Sequence, residues 1–239
     1  QILFNDIYVQ VPKTAGILPT YRPKMGENSG RTKTNYSNKQ LLLVWQNLLD
    51  ASDLRRDALR LDVISVGRQL LGNYFLTVKN EFDKMYQTKD LAALNMRASE
   101  MRELLVDIDK LTSYHDYTSL SKWISDARGL SKDPVIQDYY AKNARNLVTT
   151  WGGTLNDYAS RAWSGLISDY YSIRWNMYID AVLRAVKSKT EFNQKALDDA
   201  IKQFEDHWVS SNKQVERKVE GDLMNYAHFL LNKYKTRLE

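Results

Sequence analysis

The chain has 239 residues, a net charge of +5 and no cysteine, which excludes disulfides, thiolate metal sites and cysteine nucleophiles. Lysine and arginine alternate with aspartate and glutamate, as in Lys79–Lys84 and Glu216–Glu220, so no basic block marks a nucleic-acid surface, and no apolar run reaches the roughly 20 residues of a membrane span. Only 10 Gly and 4 Pro occur, with three of the Pro before residue 24; a body so poor in helix breakers predicts an all-α fold.

Residues 1–35 stand apart from the rest. Gln1–Val11 alternates loosely between apolar and polar, and then Pro12, Gly16, Pro19, Pro23, Gly26 and Gly30 punctuate a polar run unsuited to regular structure. The segment reads as an irregular strap over a surface or as the tail of a preceding domain. A start at Gln1 rather than Met suggests that sequence lies upstream, and no signal peptide is visible.

Ser37 is a plausible N-cap for a first helix whose apolar face is Leu41, Leu42, Val44, Trp45, Leu48 and Leu49. A second helix is predicted from about Asp53 to Gln87, with Leu54, Ala58, Leu61, Ile64, Leu71, Phe75, Val78 and Phe82 in phase. Gly67 and Gly72 lie inside it. Each costs about 1 kcal/mol against Ala there, which predicts close approach of a neighbouring helix. A third helix spans about Lys89–Thr112 and a short one Ser119–Gly129. Asp133 and Pro134 form a cap and first turn that open the next. After Trp175 a helix continues to about Lys187, followed by Glu191–Ser210 and Val219–Leu238. The whole reads as a bundle of about eight or nine helices with an irregular N-terminal strap.

The densest signal is residues 143–175. A helix running to Thr150 is broken at Gly152-Gly153, and Thr154, Asn156 or Asp157 is placed to cap a following helix that carries Tyr158, Ala162, Leu166, Tyr170 and Ile173 on one side. Trp151, Tyr158, Trp163, Tyr170, Tyr171 and Trp175 crowd around this break. Most such rings form the core of a hairpin. Trp151 and Tyr158, one on each side of the break, are the exceptions: a flat ring beside a polar loop suits the C–H face of a sugar, and a phenol can hydrogen-bond a sugar hydroxyl.

Elsewhere, chemistry is sparse. His115, His207 and His228 stand alone without metal-ligand spacing, and Asp198-Asp199 and Glu205-Asp206 read as a solvated helix face, so no metal or cofactor is expected. No pair of carboxyls is marked as catalytic.

The run Asn143, Arg145, Thr149, Trp151, Gly152, then Asp157, Tyr158, Ala159, Arg161, Gly165, Leu166, then Tyr170, Tyr171, Arg174, Trp175 resembles the C-terminal domain of the α-N-acetylglucosaminidases, glycoside hydrolase family 89. The likeness runs from about residue 36 to the end and weakens after Thr190. Leu61–Gln69 also resembles a family segment through Asp62, Arg68 and Gln69, but departs from it at Leu61 and Ser65. The resemblance implies two parts: 1–35 as linker or tail of a preceding catalytic barrel, and 36–239 as the helical domain. It implies an accessory role on that barrel in an exo-acting enzyme, with both catalytic glutamates in the barrel. The Trp151-Gly152 loop would line the pocket for a terminal α-linked N-acetylglucosamine. Trp151 is then an apolar platform, Tyr158 a hydroxyl contact, and Leu155 and Asp157 weaker candidates. On position alone Asp157 is first a cap. Arg145 and Arg174, with Arg68 as a possible third, are expected in buried charge pairs. An exported location (periplasmic, extracellular or lysosomal) is implied by the resemblance alone. The competing reading is a self-standing helical carbohydrate-binding or interaction module. The two differ in what should surround Trp151: a complete site for the module, an open aromatic patch beside a larger apolar surface for a half-site.

Overall fold

The computed structural model describes residues 16–26, 32, 34, 36–50, 56–151, 157–211, 216–217 and 219–238. Among them are eight α-helices and no strand: α1 Asn38–Leu49, α2 Asp57–Thr88, α3 Leu91–Thr112, α4 Leu120–Arg128, α5 Pro134–Val148, α6 Ser172–Lys187, α7 Gln194–Ser210 and α8 Leu223–Leu238. The fold is all-α, as the scarcity of breakers predicts. Several helix starts follow local chemistry. Ser37 and Gln40 form a reciprocal capping box, Asp90, Ser119 and Asn193 accept from the first-turn amides of α3, α4 and α7, and Asp133 caps a helix that opens on Pro134.

α2 is the axis of the molecule, packed chiefly along α3 and α1 and touching α8 and the strap. Its buried side runs from Val63 through Phe75 to Tyr86. The two interior glycines have different reasons. A Cβ on Gly67 would lie 2.6 Å from the Trp45 ring of α1, the helix–helix approach that a mid-helix glycine predicts. A Cβ on Gly72 would lie 2.3 Å from Ile17, so there the close neighbour is the strap rather than a helix. Ile17, Leu18, Pro19 and Thr20 are buried, and the Pro19 carbonyl accepts from the Trp175 indole at 2.9 Å. This part of the strap is core.

The predicted helix through Tyr158 and Ala162 does not form. Residues 157–165 make turns and an isolated bridge, Ser119 with Ser164, and a π-turn over Ile167–Tyr171 then leads into α6. The start of that element is capped from a distance. Asp109, near the end of α3, accepts from the Gly165 amide at 2.8 Å and the Ser168 amide at 3.0 Å. Burial raises the Asp109 pKa, and these two amides oppose the rise. Both amides bond the same oxygen, Oδ1, a position that a side-chain amide oxygen can also fill. Asp109→Ala is expected to cost about 1–2 kcal/mol, as for loss of an N-cap. That lowers the melting temperature by roughly 2–8 °C, whereas Asp109→Asn, which keeps an acceptor oxygen, should stay close to the native value. Equal losses in the two variants would rule out the remote cap.

Candidate functional site: the Trp151–Tyr158 hairpin

α5 ends on its own side chains. Thr149 donates its hydroxyl to the Arg145 carbonyl at 2.7 Å, Thr150 donates to the Asn146 side chain at 2.6 Å, and the Trp151 amide returns to the Asn146 carbonyl at 2.8 Å. The Asp157 amide then bonds the Thr149 carbonyl at 2.8 Å, which ties together the two ends of the connection. The loop between them, with Gly152, Gly153, Thr154, Leu155 and Asn156, lies outside the described residues, so the expectation for Leu155 falls there too. Trp151, Asp157 and Ser160 all have positive φ, at 30°, 60° and 44°. Such geometry costs on the order of 1–3 kcal/mol per residue and persists where surrounding bonds impose it.

This backbone brings Trp151 and Tyr158 together. Their rings meet edge to face, 5.2 Å apart at 72°, and both lie open, Trp151 at 40% and Tyr158 at 59% exposure. The rest of the motif's aromatics turn inward: Tyr170, Tyr171 and Trp175 are fully buried, and Trp163 is partly buried. Several apolar side chains of α5, the helix that ends just before Trp151, are exposed as well: Leu147, Tyr139, Ile136 and Val135, with Leu130 just before the helix.

Beneath the pair lies a chain of charges. The Asp157 carboxylate is buried and receives Arg174 Nη1 at 2.9 and 3.1 Å. The same nitrogen bonds Glu205 of α7 at 2.8 Å, and Arg22 of the strap grips both oxygens of Glu205, its Nε at 3.0 Å. Arg174 is itself wholly buried. Its guanidinium lies over the Tyr170 and Tyr171 rings at 4.7 and 5.0 Å, and Nη2 bonds the Thr20 carbonyl at 3.2 Å. Burial works against this guanidinium, but Asp157, Tyr170 and Glu205 outweigh it and hold its pKa above the ordinary arginine value. Burial likewise raises the Asp157 carboxyl against the pull of Arg174, with Glu205 adding like charge.

The sequence expectations divide accordingly. Asp157 caps no helix, because no helix starts there; its carboxylate is engaged by Arg174. Arg174 is in a buried pair as expected. Arg145 is buried, with its guanidinium 6.0 Å from the Trp208 ring, and Arg68 donates to the Ala162 carbonyl at 3.4 Å. Glu205 is a correction: it is 1% exposed rather than part of a solvated face. Its phase was the available signal, since Leu197, Ile201, Glu205 and Trp208 form one buried stripe of α7. Arg22 had no such signal, being in an irregular stretch. His115 is buried and accepts from the Tyr117 amide at 3.1 Å.

Two exposed rings, one with a hydroxyl, can stack on and orient a sugar. Asp157 and Glu205 share one guanidinium and are buried, so they are not placed to act on opposite faces of a scissile bond. Among the described residues there is no cluster of three or more His, Cys, Asp or Glu suited to a metal, and no helix is long and apolar enough to cross a membrane.

The family model described as the alpha-N-acetylglucosaminidase (NAGLU) C-terminal domain matches residues 1–233. The chain belongs to that family. The resemblance carried by the Trp151–Trp175 motifs thus holds, and the matched span takes in the strap as well as the helices. Alpha-N-acetylglucosaminidase of Homo sapiens is 28% identical over 222 residues, covering 90% of this chain and 29% of the human protein. The family 89 glycoside hydrolase from Clostridium perfringens in complex with PUGNAc matches with a TM-score of 0.82 at 24% identity, over 92% of this chain and 27% of that one. The Clostridium perfringens protein in complex with its substrate GlcNAc-alpha-1,4-galactose matches with a TM-score of 0.83 at 24% identity, over 94% and 28%. These structures show that the fold is shared. This chain spans less than a third of the length of the relatives it matches.

Proposed function

We propose that this chain is the accessory C-terminal domain of an exo-acting α-N-acetylglucosaminidase. It packs on a catalytic barrel that precedes it in the same polypeptide, with residues 1–35 as the lead-in and 36–239 as the helical domain. The Trp151-Gly152 loop forms one wall of the pocket for a terminal α-linked N-acetylglucosamine. In this reading Trp151 supplies an apolar platform, Tyr158 a hydroxyl contact, and Leu155, a weaker candidate, lines the pocket, while Asp157 holds the turn that presents Tyr158. The catalytic carboxyls belong to the barrel.

The observation that carries this reading is the open Trp151–Tyr158 pair on a hairpin anchored at both ends. The exposed apolar side chains of α5, from Leu147 to Val135, favour it over a self-standing sugar-binding module. A module needs only its own site, whereas a half-site adjoins the apolar surface of a missing neighbour. Trp151→Ala in the full-length enzyme tests the pocket wall and is taken up in the Discussion. The packing surface has its own test, because this chain has no cysteine and an introduced thiol is therefore the one label site on its peptides. A thiol introduced by Tyr139→Cys should label far more slowly in the full-length enzyme than one introduced by Met96→Cys on α3. The two native side chains are similarly exposed in the domain, at 61% and 57%. Peptide mapping after maleimide treatment reads the difference, and equal labelling would remove α5 from the packing surface.

A further inference from the structure

We infer that Arg22 is a positioning residue for the Trp151–Tyr158 wall, acting from the strap through Glu205, Arg174 and Asp157. The inference rests on the pocket reading above. Three consecutive strap residues reach the hairpin or the charges beneath it. The Thr20 carbonyl accepts from Arg174, the Tyr21 hydroxyl accepts from Ser160 at 3.1 Å, and Arg22 forks onto Glu205. Asp157 and Ser160 bracket Tyr158, and both are held in left-handed backbone geometry, with the Ser160 amide on the Asp157 carbonyl at 3.1 Å. The strap therefore bonds one end of the turn that presents the Tyr158 ring directly, at Ser160, and reaches the other end, Asp157, through Arg174.

Charge explains why Arg22 matters. The row Arg22, Glu205, Arg174, Asp157 alternates in sign and is balanced, two against two. Arg174 meets both carboxylates through the single nitrogen Nη1, at 2.8 Å for Glu205 and 2.9 Å for Asp157. Glu205 has a second cation in Arg22; among the described residues, the side-chain hydrogen bonds to the Asp157 carboxylate come from Arg174. Without Arg22, two buried carboxylates depend on one guanidinium. Glu205 then draws Arg174 from Asp157, and the turn loses the contact that holds it in register. Arg22 is also the member nearest solvent, its side chain 33% exposed against 0–6% for the others, so its replacement is the least disruptive.

The experiment uses the full-length enzyme with Arg22→Met, Arg22→Lys, Trp151→Ala and the Arg22→Met/Trp151→Ala double variant. In Arg22→Met, the Asp157 and Ser160 amides should exchange hydrogen faster than in the wild type. Its kcat/KM on an aryl α-N-acetylglucosaminide should fall roughly tenfold, within the up to about 100-fold cost of a small misplacement. Arg22→Lys keeps the charge without the fork and should recover part of both effects. The double variant should lose less than the product of the single losses, because a displaced wall has less to lose when its ring is removed. Native exchange rates at those amides, or fully multiplicative kinetic losses, would overturn the assignment of Arg22 while leaving a kinetic effect of Trp151→Ala intact. A kinetically silent Trp151→Ala would instead overturn the pocket reading and the role of Arg22 with it.

Discussion

Replacing Arg174 by Met is expected to lower the melting temperature by roughly 6–20 °C, the equivalent of about 3–5 kcal/mol in a chain of this size. The guanidinium is wholly buried and serves two buried carboxylates and a carbonyl. Methionine fills much of the volume between Tyr170 and Tyr171 but leaves Asp157 without its ion-pair donor and Glu205 with Arg22 as its remaining cation. An unpaired buried carboxylate tends to take up a proton. The loss should accordingly depend on pH. Burial already holds Asp157 above the usual carboxylate range, and removing Arg174 raises it further. A carboxyl whose folded pKa exceeds its unfolded one binds its proton more tightly in the native state. Stability then falls as the pH rises from the unfolded pKa, near 4, through the folded one. The gap between variant and wild type should thus be widest near pH 7 and should narrow toward pH 4. Thermal melts at both pH values check this. A gap that stayed constant would show that lost packing, rather than stranded charge, is the main cost.

Trp151→Ala should show the opposite pattern, with kinetics affected more than folding. The ring is 40% exposed, so its removal should cost less stability than the about 3–5 kcal/mol typical of a core Trp. If the ring is a sugar platform, its truncation removes contact and positioning together. Stacking of a base on an aromatic side chain, worth about 1–3 kcal/mol, sets the scale. That corresponds to a loss in kcat/KM of roughly 5- to 150-fold in the full-length enzyme. Tyr158 meets the indole edge to face, so Tyr158→Phe should preserve this packing and report on the hydroxyl alone. Melting and kinetics on the same Trp151 variant are decisive when read together. A large fall in melting temperature with unchanged kcat/KM would make Trp151 an ordinary core residue and end the site assignment.

The sequence by itself determined the helical class, most helix bounds and the family. The class and the bounds rest on short-range rules: scarce breakers, apolar phase, and caps such as Ser37, Asp133 and Pro134 whose partners lie within a turn; the family rests on the resemblance carried by the motifs of Asn143–Trp175. It also singled out Trp151 and Tyr158 among many aromatics, because the predicted Gly152-Gly153 break between them is a local signal. Only the tertiary structure decided what lies around that break. Tyr158 and Ala162 have helical spacing, yet their segment forms turns. Its amides and carboxylate are bonded from afar, by Thr149, Asp109 of α3 and Arg174 of α6, and such bonds outweigh a weak local preference. Gly72 looked like a helix contact and instead admits Ile17 of the strap. Glu205, in a run of acids, looked solvated; its burial depends on Arg174 and Arg22, respectively 31 and 183 residues away in sequence. The phase of Glu205 on α7 was visible, but partners so distant in sequence have no spacing that a single sequence can display. Whether a glutamate is buried depends on the cations that the fold brings to it.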